Sequence, residues 1–308
     1  MLVRKRVQNS EASNGTGTTP TSIWFSTLAE FNLHLTDGDL RVVDEAGNPY
    51  DTKTTPSKLG FKAEQANAVY AVLADLLKGE LRKGGLEATR LPLGAKQDEP
   101  HCLILHSLGC WNRSNLLQKG LKAGSVLPYV QQARDEGYEV IILNLDENYL
   151  WNRRTMVDIP STGQVSPIPR NDAPRSHMAY VLDNIIKPCP STDLAFVTNY
   201  DGSLHLIGYL SRDPDHASFL NRIRRLAMFN TTHSIWDDTP QAVQDWLSQE
   251  THCRNWVENS ELGDGVLLPD VSDNQAVNVR LADHTLRSAL QTREQAAVFD
   301  FLRGTPQA

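Results

Sequence analysis

The sequence predicts an α/β fold, in which a mostly parallel sheet carries helices on both faces and is preceded by an N-terminal β-hairpin. Apolar runs such as 102–106 and 194–197 are typical of strands that are buried on both faces. Segments with helical spacing of apolar residues alternate with these runs, and such alternation favours parallel strands. With 308 residues, 40% of them hydrophobic, the chain can bury the core that this fold requires.

The first elements follow from residue periodicity. A hairpin is predicted at 31–43, because apolar and polar residues alternate on both sides of Asp37-Gly38, a pair that favours a tight turn. Apolar residues then recur at helical spacing from 62 to 81. A strand is expected near 86–91.

Strands and helices continue to alternate along the rest of the chain. Ser125 is at the N-cap position of a predicted helix at 126–136, and Gly137 fits the left-handed position past its end. A proline-rich stretch at about 151–175 is predicted to be a long loop or insertion. The other predicted elements are strands at 102–106, 139–144, 194–197 and 223–229, and helices at 178–186, 203–210, 239–249 and 294–302.

Composition indicates one domain with a tail at each end. Residues 1–22 are rich in Ser, Thr, Gly and Asn and are predicted to be a disordered tail, 23–303 form the domain, and 304–308 are a short tail. Because no apolar segment follows the basic residues Arg4-Lys5-Arg6, no signal peptide is expected. No run reaches the roughly 20 apolar residues of a membrane span. The expected location is the nucleus, the cytoplasm or both.

Charge and cysteine spacing exclude other classes of function. The four cysteines lack metal-binding spacing, so we predict no metal and no cofactor. A net charge of -7 argues against nucleic-acid binding by the field of the whole protein. No sequence-specific nucleic-acid contact and no membrane contact are therefore expected.

The segment 193–203 has the outline of a nucleophile elbow without its nucleophile. An apolar strand, a tight turn and an apolar helix follow one another, which is the geometry that presents a serine above an α/β-hydrolase sheet. The sequence interpretation puts Asn199 at the nucleophile position, and a neutral amide cannot be deprotonated to attack a carbonyl. As a residue of a surface turn, Asn199 would tolerate replacement by Ser at about 1 kcal/mol or less. The hydrolase-like fold is thus predicted without serine chemistry.

Three other residues are candidates for chemistry at this site. Asp201 could attack carbon directly, as aspartates do in dehalogenase-type enzymes. His284 is in the late loop where a hydrolase fold places its base, and it is either a relic of that base or a packing residue. His233 follows a strand end, where it either orders the loop or contacts a ligand.

A further loop, His106-Ser107-Leu108-Gly109, follows an early predicted strand. In hydrolase folds this loop supplies an amide of the oxyanion hole. Without a nucleophile, such amides could hold an anion or a carboxylate of a partner. Ser107 lacks the strand-turn-helix setting of a nucleophile.

Several separated motifs agree with a known family in order and spacing. The most specific is Glu-Gly-Tyr-x-Val-Ile-x-Leu-Asn at 136–144 with Glu-Asn-Tyr at 147–149, and the others are at 102–109, 123–129, 196–202, 230–236, 253–257 and 283–285. Together they resemble the Argonaute-binding protein 2 domain family, an α/β-hydrolase-like domain that is also found appended to some histone deacetylases. The resemblance covers roughly residues 25–303.

The resemblance implies a function and shows two departures from the family pattern. The family elbow His-Ser-x-Gly-Gly is replaced by residues 198–202, and of the later Thr-Asp-Ser-x-His motif the acidic position is Asn230 whereas His233 is kept. The implied function is a non-catalytic interaction protein in small-RNA-directed silencing, heterochromatin or related RNA regulation, with Argonaute or chromatin silencing factors as protein partners. The alternative is a small-molecule esterase or hydrolase that uses Asp201 with His284.

Overall fold

The described strands define the frame of the fold in this computed structural model. In chain order they are β1 (Leu33–Leu35), β2 (Val42–Asp44), β3 (His101–His106), β4 (Glu139–Leu143), β5 (Tyr149–Leu150), β6 (Ser166–Pro167), β7 (Asp193–Asn199), β8 (Ile223–Phe229), β9 (Cys253–Glu258), β10 (Leu267–Leu268) and β11 (Val279–Ala282). The structure describes residues 27–37, 40–51, 55, 62–83, 101–106, 109–143, 145, 149–150, 166–167, 170–231, 238–258, 267–268, 279–282 and 290–304.

Helices connect most of these strands. In chain order they are α1 (Lys62–Lys83), α2 (Arg113–Lys119), α3 (Leu121–Gly124), α4 (Leu127–Asp135), α5 (Pro174–Val181), α6 (Asp201–Leu210), α7 (His216–Leu220), α8 (Gln241–Ser248), α9 (Leu290–Arg293) and α10 (Gln295–Arg303). A 3-10 turn at Leu28–Phe31 precedes β1, and α5 passes directly into a π-helical turn at Leu182–Ile186. None of the described helices is both long and apolar enough to cross a membrane.

The main sheet is mostly parallel, as the sequence predicted. Its strand order is β10-β11-β9-β8-β7-β3-β4, and only the β10–β11 pair is antiparallel among the pairs described in it. The strand β7 is therefore in the interior of the sheet, and six of its residues, 194–199, are buried. The predicted N-terminal hairpin is also confirmed, because β1 and β2 pair antiparallel with Leu33 opposite Asp44.

Apolar side chains pack on both faces of the sheet. Neighbouring residues of β7 point to opposite faces, so Phe196 belongs to the core under α5, α6 and α8, whereas Val197 belongs to the core under α4 and α10. The hairpin packs with α1 and α2 around a third cluster, which includes Leu73 and Leu116. The predicted α/β class with helices on both faces is confirmed.

Several helix ends follow their local sequence signals, but the N-cap of α4 is Val126 and not the predicted Ser125. Pro174 occupies the first position of α5, where proline is favoured, so the stretch predicted as a loop at 151–175 ends at 173. This stretch also contains the short strand β6, which pairs antiparallel with β5. Gly137 follows α4 with a φ of 83°, as predicted. The N-cap of α2, a helix that apolar spacing did not indicate, is Asn112, whose side chain accepts a hydrogen bond from Asn115 N at 3.0 Å.

Several predictions concern residues outside the described part of the chain and stay predictions. They are the tail at 1–22, the strand near 86–91, the loop residues 151–165 and 168–169, the terminal residues 305–308, and the candidates Ser107, His233 and His284. For His106 the backbone alone is described, and it pairs with Leu143 at the end of β3.

Candidate functional site

The strand-turn-helix at the end of β7 has the backbone of an elbow, and its apex is Tyr200. The φ and ψ angles of Tyr200 are 45° and −118°, a conformation that costs about 1–3 kcal/mol for a residue with a Cβ. The ladder continues through Asn199, which pairs with Phe229, and α6 begins at Asp201. The sequence interpretation that placed the apex at Asn199 is corrected by one residue, because the strand extends two residues beyond its apolar run.

Asn199 is a buried cross-link and not a surface turn residue. Only 3% of it is exposed. Its Nδ2 donates to Trp111 O at 2.9 Å, and its Oδ1 accepts from Gln291 Nε2 at 3.1 Å. The side chain thereby ties the end of β7 to the loop before α2 and to α9. The prediction that Asn199 is a residue of a surface turn is wrong. Because serine reaches neither partner in the same way, we now expect replacement by serine to cost more stability than that prediction implied.

We predict that Asn199→Ser lowers the free energy of unfolding by about 2 kcal/mol, because it leaves Trp111 O and Gln291 Nε2 buried without their partner. Chemical denaturation of the purified chain measures this loss. The matched control is Asn221→Ser, the same substitution at an exposed residue, for which we expect a change within about 0.5 kcal/mol. Equal stability of the two variants would contradict the role assigned to Asn199.

Behind the apex, buried hydroxyl groups form a hydrogen-bonded chain. Ser203 Oγ contacts Thr198 Oγ1 and lies 2.8 Å from Thr231 Oγ1. The backbone of Thr231 is held by Asn255, whose Nδ2 donates to Thr231 O at 3.0 Å. Ser203 is completely buried, so this hydroxyl fixes α6 against β7 and β8 and is closed to a substrate.

A cavity of about 250 Å³ lies beside the apex, at the edge of the sheet where the parallel strands end. Ligands of open α/β sheets bind at this edge. Aromatic, apolar and polar side chains from five separate segments share its wall. They are Tyr70, Cys110, Trp111, Asn112, Arg113, Leu145, Pro174, Asn199, Tyr200, Asp201 and His205.

The charged groups of this cavity come from α2 and α6. The exposed guanidinium of Arg113 lies 4.5 Å from the ring centre of Tyr70. Asp201 is exposed at the first position of α6, and His205 follows one turn later. Burial lowers the pKa of His205, Arg175 acts in the same direction, and Asp201 opposes both. His205 was missed in the sequence, where its spacing of four residues from Asp201 on a helix was the available signal.

The predicted oxyanion-type loop is only partly described, and its described glycine has a packing role. Gly109 has a φ of 79°, and a Cβ there would lie 3.0 Å from Leu81 Cδ1. Its carbonyl accepts from Val126 N at 2.8 Å, which joins the loop to the start of α4. The structure therefore explains Gly109 by close packing against α1.

The proposed pair of Asp201 and His284 is not brought together by the described residues, since His284 lies outside them. Across the described ranges, no group of three or more His, Cys, Asp or Glu residues is placed to hold a metal ion.

A larger and more open cavity, of about 480 Å³, lies at the opposite end of the strands, where β7 and β8 begin. Its wall includes the ion pair between Arg224 Nη1 and Asp193 Oδ2 at 2.9 Å and the stacked rings of Trp246 and His252. Its arginines are already engaged, Arg224 by Asp193 and Arg222 by backbone carbonyls, and it lies at the amino ends of β7 and β8. Ligands of open α/β sheets bind at the carboxyl ends, so the smaller cavity is the better candidate for a functional site.

Comparison with solved structures finds distant similarity. "Structure of the histone deacetylase Clr3" is 14% identical, covers 76% of this chain and 38% of that chain, and has a TM-score of 0.47. "A histone deacetylase from Saccharomyces cerevisiae" is 12% identical, covers 76% of this chain and 98% of that chain, and has a TM-score of 0.46.

The relatives found by sequence have a higher identity to this chain than these structures. A Xenopus tropicalis protein named "Cotranscriptional regulator ARB2A homolog" is 24% identical, over 85% of this chain and 76% of its own length. The Homo sapiens "Cotranscriptional regulator ARB2A" is 22% identical, over 66% of this chain and 62% of its own length, so the match spans less than two thirds of that relative. The family model described as the Arb2 domain matches residues 106–262, just over half of the chain. As its motifs predicted, the chain belongs to the Arb2 domain family.

Proposed function

We propose that this protein is a non-catalytic interaction module with an α/β-hydrolase-like fold, which acts in small-RNA-directed silencing, heterochromatin or related RNA regulation in the nucleus. One observation carries the proposal: the apex of the elbow is occupied by the exposed side chain of Tyr200. In a hydrolase elbow this strained position presents the nucleophile. Here it presents an aromatic ring, a side chain that is enriched in binding surfaces.

Comparison of the family's elbow motif with this chain supports the loss of the nucleophile. With the apex at Tyr200, the motif His-Ser-x-Gly-Gly shifts by one residue, from 198–202 to 199–203. Its serine then corresponds to Tyr200, its first glycine to Gly202, which this chain keeps, and its second glycine to Ser203. The histidine then corresponds to Asn199, which is hydrogen-bonded on both sides. Since the serine position is changed and the turn is retained, the geometry favours binding over hydrolysis.

The names of the relatives support the regulatory setting. Two vertebrate relatives are named cotranscriptional regulators. We extend that role to this chain, and we propose Argonaute or chromatin silencing factors as its protein partners. The binding surface that we propose is the cavity of about 250 Å³ beside the apex, which we call the elbow cavity, together with the ring of Tyr200.

Affinity purification of the tagged full chain from its native cell tests both parts of the proposal. Tyr200 and Leu76 are the two exposed large hydrophobic residues of the described part of the chain, with 47% and 39% exposure, and Leu76 does not line the elbow cavity. We expect silencing factors to co-purify with the wild type and with Leu76→Ala. We expect at least a tenfold loss with Tyr200→Ala, since removal of a binding hot spot costs about 2 kcal/mol or more.

Two outcomes would contradict this proposal. Absence of Argonaute and of chromatin silencing factors from the wild-type sample would reject the assigned partners. Equal recovery with Tyr200→Ala and Leu76→Ala would reject the elbow as the binding surface.

The alternative of hydrolysis has its own test. We predict that neither the wild type nor Tyr200→Ser hydrolyses short acyl esters, and that a fluorophosphonate probe labels Tyr200→Ser at least about 100-fold more slowly than a serine hydrolase labelled in parallel. The reason is that Asp201 follows the apex, where its negative charge would oppose a developing oxyanion. Turnover that disappears in Asp201→Asn or His284→Ala would instead establish the esterase alternative.

A further inference from the structure

The wall of the elbow cavity holds the residue types that supply most of the binding energy in protein interfaces. Four of its residues are aromatic or arginine side chains: Tyr70, Trp111, Arg113 and Tyr200. Trp, Tyr and Arg are enriched among the hot spots of interfaces. Tyr200 and Arg113 are exposed, so a partner can reach both of them without a change of the fold. The cavity therefore offers one aromatic and one charged anchor.

Arg113 is ordered by stacking before any partner arrives. It is at the start of α2, and its guanidinium carbon lies 4.5 Å from the ring centre of Tyr70. Stacking uses the face of a guanidinium, whereas its hydrogen bonds are made along the edge, which matches a carboxylate in a bidentate pair. A side chain that is already ordered loses less conformational entropy on binding. Arg113 is thus suited to bind a carboxylate at the cavity.

The charges around the cavity favour an acidic partner. Of the described residues that line it, Arg113 is positive and Asp201 is negative, while burial lowers the pKa of His205 and keeps its ring neutral at pH 7. Arg175, exposed in the first turn of α5, adds a second positive charge that acts on His205. The carboxylate of Asp201 is at the first position of α6, where the helix dipole stabilises it.

The net charge of the chain does not reverse this local balance. The whole chain carries a charge of -7. Salt screens exposed charges that are more than about 8 Å apart, so the groups at the cavity decide which segment can dock there. The same net charge argues against a nucleic acid, which would bring a row of phosphates to the protein.

The size of the cavity favours a side chain of a peptide over a small molecule. Its volume of about 250 Å³ is below the roughly 300–1,000 Å³ of small-molecule sites. Part of its wall is formed by Trp111 and Leu145, which are both buried. An apolar wall of this kind fits one aromatic side chain that enters from outside.

We propose that the elbow cavity binds an acidic segment of a partner protein, which places one aromatic side chain in the cavity and a carboxylate on the guanidinium of Arg113. This inference rests on the proposed function, because it uses the same surface, and it adds the chemistry of the partner.

Fluorescence anisotropy with the purified full chain tests this inference. The probe is a labelled peptide, Glu-Glu-Phe-Glu-Glu, and its analogues carry glutamine or lysine in place of glutamate, or alanine in place of phenylalanine. We expect the wild type to bind the probe at least about tenfold more tightly than the glutamine analogue and the alanine analogue. This comparison uses the wild type alone and does not depend on the folding of a variant.

Substitution of Arg113 locates the site. We expect Arg113→Met to bind the probe at least about tenfold more weakly than the wild type, and Arg113→Lys to have an intermediate affinity, because lysine keeps the charge without the planar fork. The matched control is Arg212→Met, which removes an exposed arginine that does not line the cavity and should change the affinity by less than about twofold. The glutamine analogue should not distinguish Arg113→Met from the wild type.

Four results would overturn the inference. Equal affinity of the wild type and Arg113→Met for the probe would remove Arg113 from the site. Equal binding of the glutamate and glutamine peptides would exclude a carboxylate. Tighter binding of the lysine analogue would assign a basic segment. Tighter binding of a single-stranded RNA oligonucleotide, lost in Arg113→Met, would assign a nucleic acid.

Failure of this inference and failure of the proposed function are separate results. Probe binding that is lost in Tyr200→Ala but kept in Arg113→Met would reject the acidic ligand and retain the elbow as the binding surface. Because the peptide experiment contains no silencing factor, absence of these factors from the co-purified sample would reject the assigned partners and leave the acidic segment as the ligand.

Discussion

Replacing Gly124 with alanine is expected to destabilise the protein by about 3 kcal/mol or more. A Cβ at Gly124 would lie 2.2 Å from Leu116 N and 2.4 Å from Leu116 Cα. Both are backbone atoms of α2, so no side-chain rotation can relieve the overlap. The helices α2 and α3 would have to separate, which would disturb the buried contacts of Leu116 and Leu121 in the third core cluster.

The same substitution would also disturb the wall of the elbow cavity. Gly124 O accepts hydrogen bonds from Trp111 N at 2.8 Å and from Asn112 N at 3.4 Å, and both of these residues line the cavity. We therefore expect Gly124→Ala to weaken binding of any partner that uses the elbow, in addition to lowering stability.

Gly79→Ala is the matched control for this experiment. Gly79 is inside α1, and a Cβ there would meet no atom within 4 Å. Alanine is favoured over glycine inside a helix, so this variant should be more stable than the wild type by about 0.5–1 kcal/mol. Urea denaturation of both variants gives the two free energies. A stability of Gly124→Ala equal to that of the wild type would show that α2 and α3 need no close approach.

Loss of the Arg222 side chain is expected to cost about 3 kcal/mol. Arg222 Nη1 donates to Lys187 O at 2.7 Å, Nη2 donates to Ile186 O at 3.0 Å, and Nε donates to Ser191 O at 3.0 Å, with further bonds to Cys189 O and again to Ser191 O. These carbonyls end the π-helical turn after α5 and lead into β7. The last carbonyls of a helix have no partner within it, so Arg222→Ala would leave a group of acceptors without their charged donor.

Chemical denaturation of Arg222→Ala measures this effect, and two variants serve as controls. Arg222→Lys keeps a charge but has one nitrogen in place of three, and we expect an intermediate loss. Arg212→Ala removes an exposed arginine, for which we expect a change within about 0.5 kcal/mol. An equal effect of Arg222→Ala and Arg212→Ala would contradict the role of Arg222 in holding the segment before β7.

The strands and helices with strong local patterns were predictable. The strand β8, for example, was predicted with the bounds that it has, and α4 within one residue at each end. The strand β9 was missed because Arg254 and Asn255 interrupt its apolar pattern. Both residues are buried, and their burial depends on partners elsewhere in the chain: Phe301 for Arg254, and Thr231 for Asn255.

The elbow shows why the local sequence pattern misplaced the turn by one residue. The sequence identified the strand, the helix and the turn between them, but it placed the apex at Asn199. Polar residues after an apolar run are typical of a turn, yet here Thr198 and Asn199 extend the strand because hydrogen bonds satisfy them inside the protein. A ladder that continues two residues further moves the strained position to Tyr200.

The α/β class, the order of most strands and helices, the N-terminal hairpin and the membership of the Arb2 domain family were all predictable from the amino-acid sequence. These depend on spacings of two to four residues and on motifs that are continuous along the chain. Tertiary contacts were needed to show that Asn199 is a cross-link and that Tyr200 is the apex. Asn199 and Gln291 are separated by 92 residues. A contact between such distant positions leaves no periodic signal in the sequence, because it arises only when the sheet brings the ends of its strands beside the C-terminal helices.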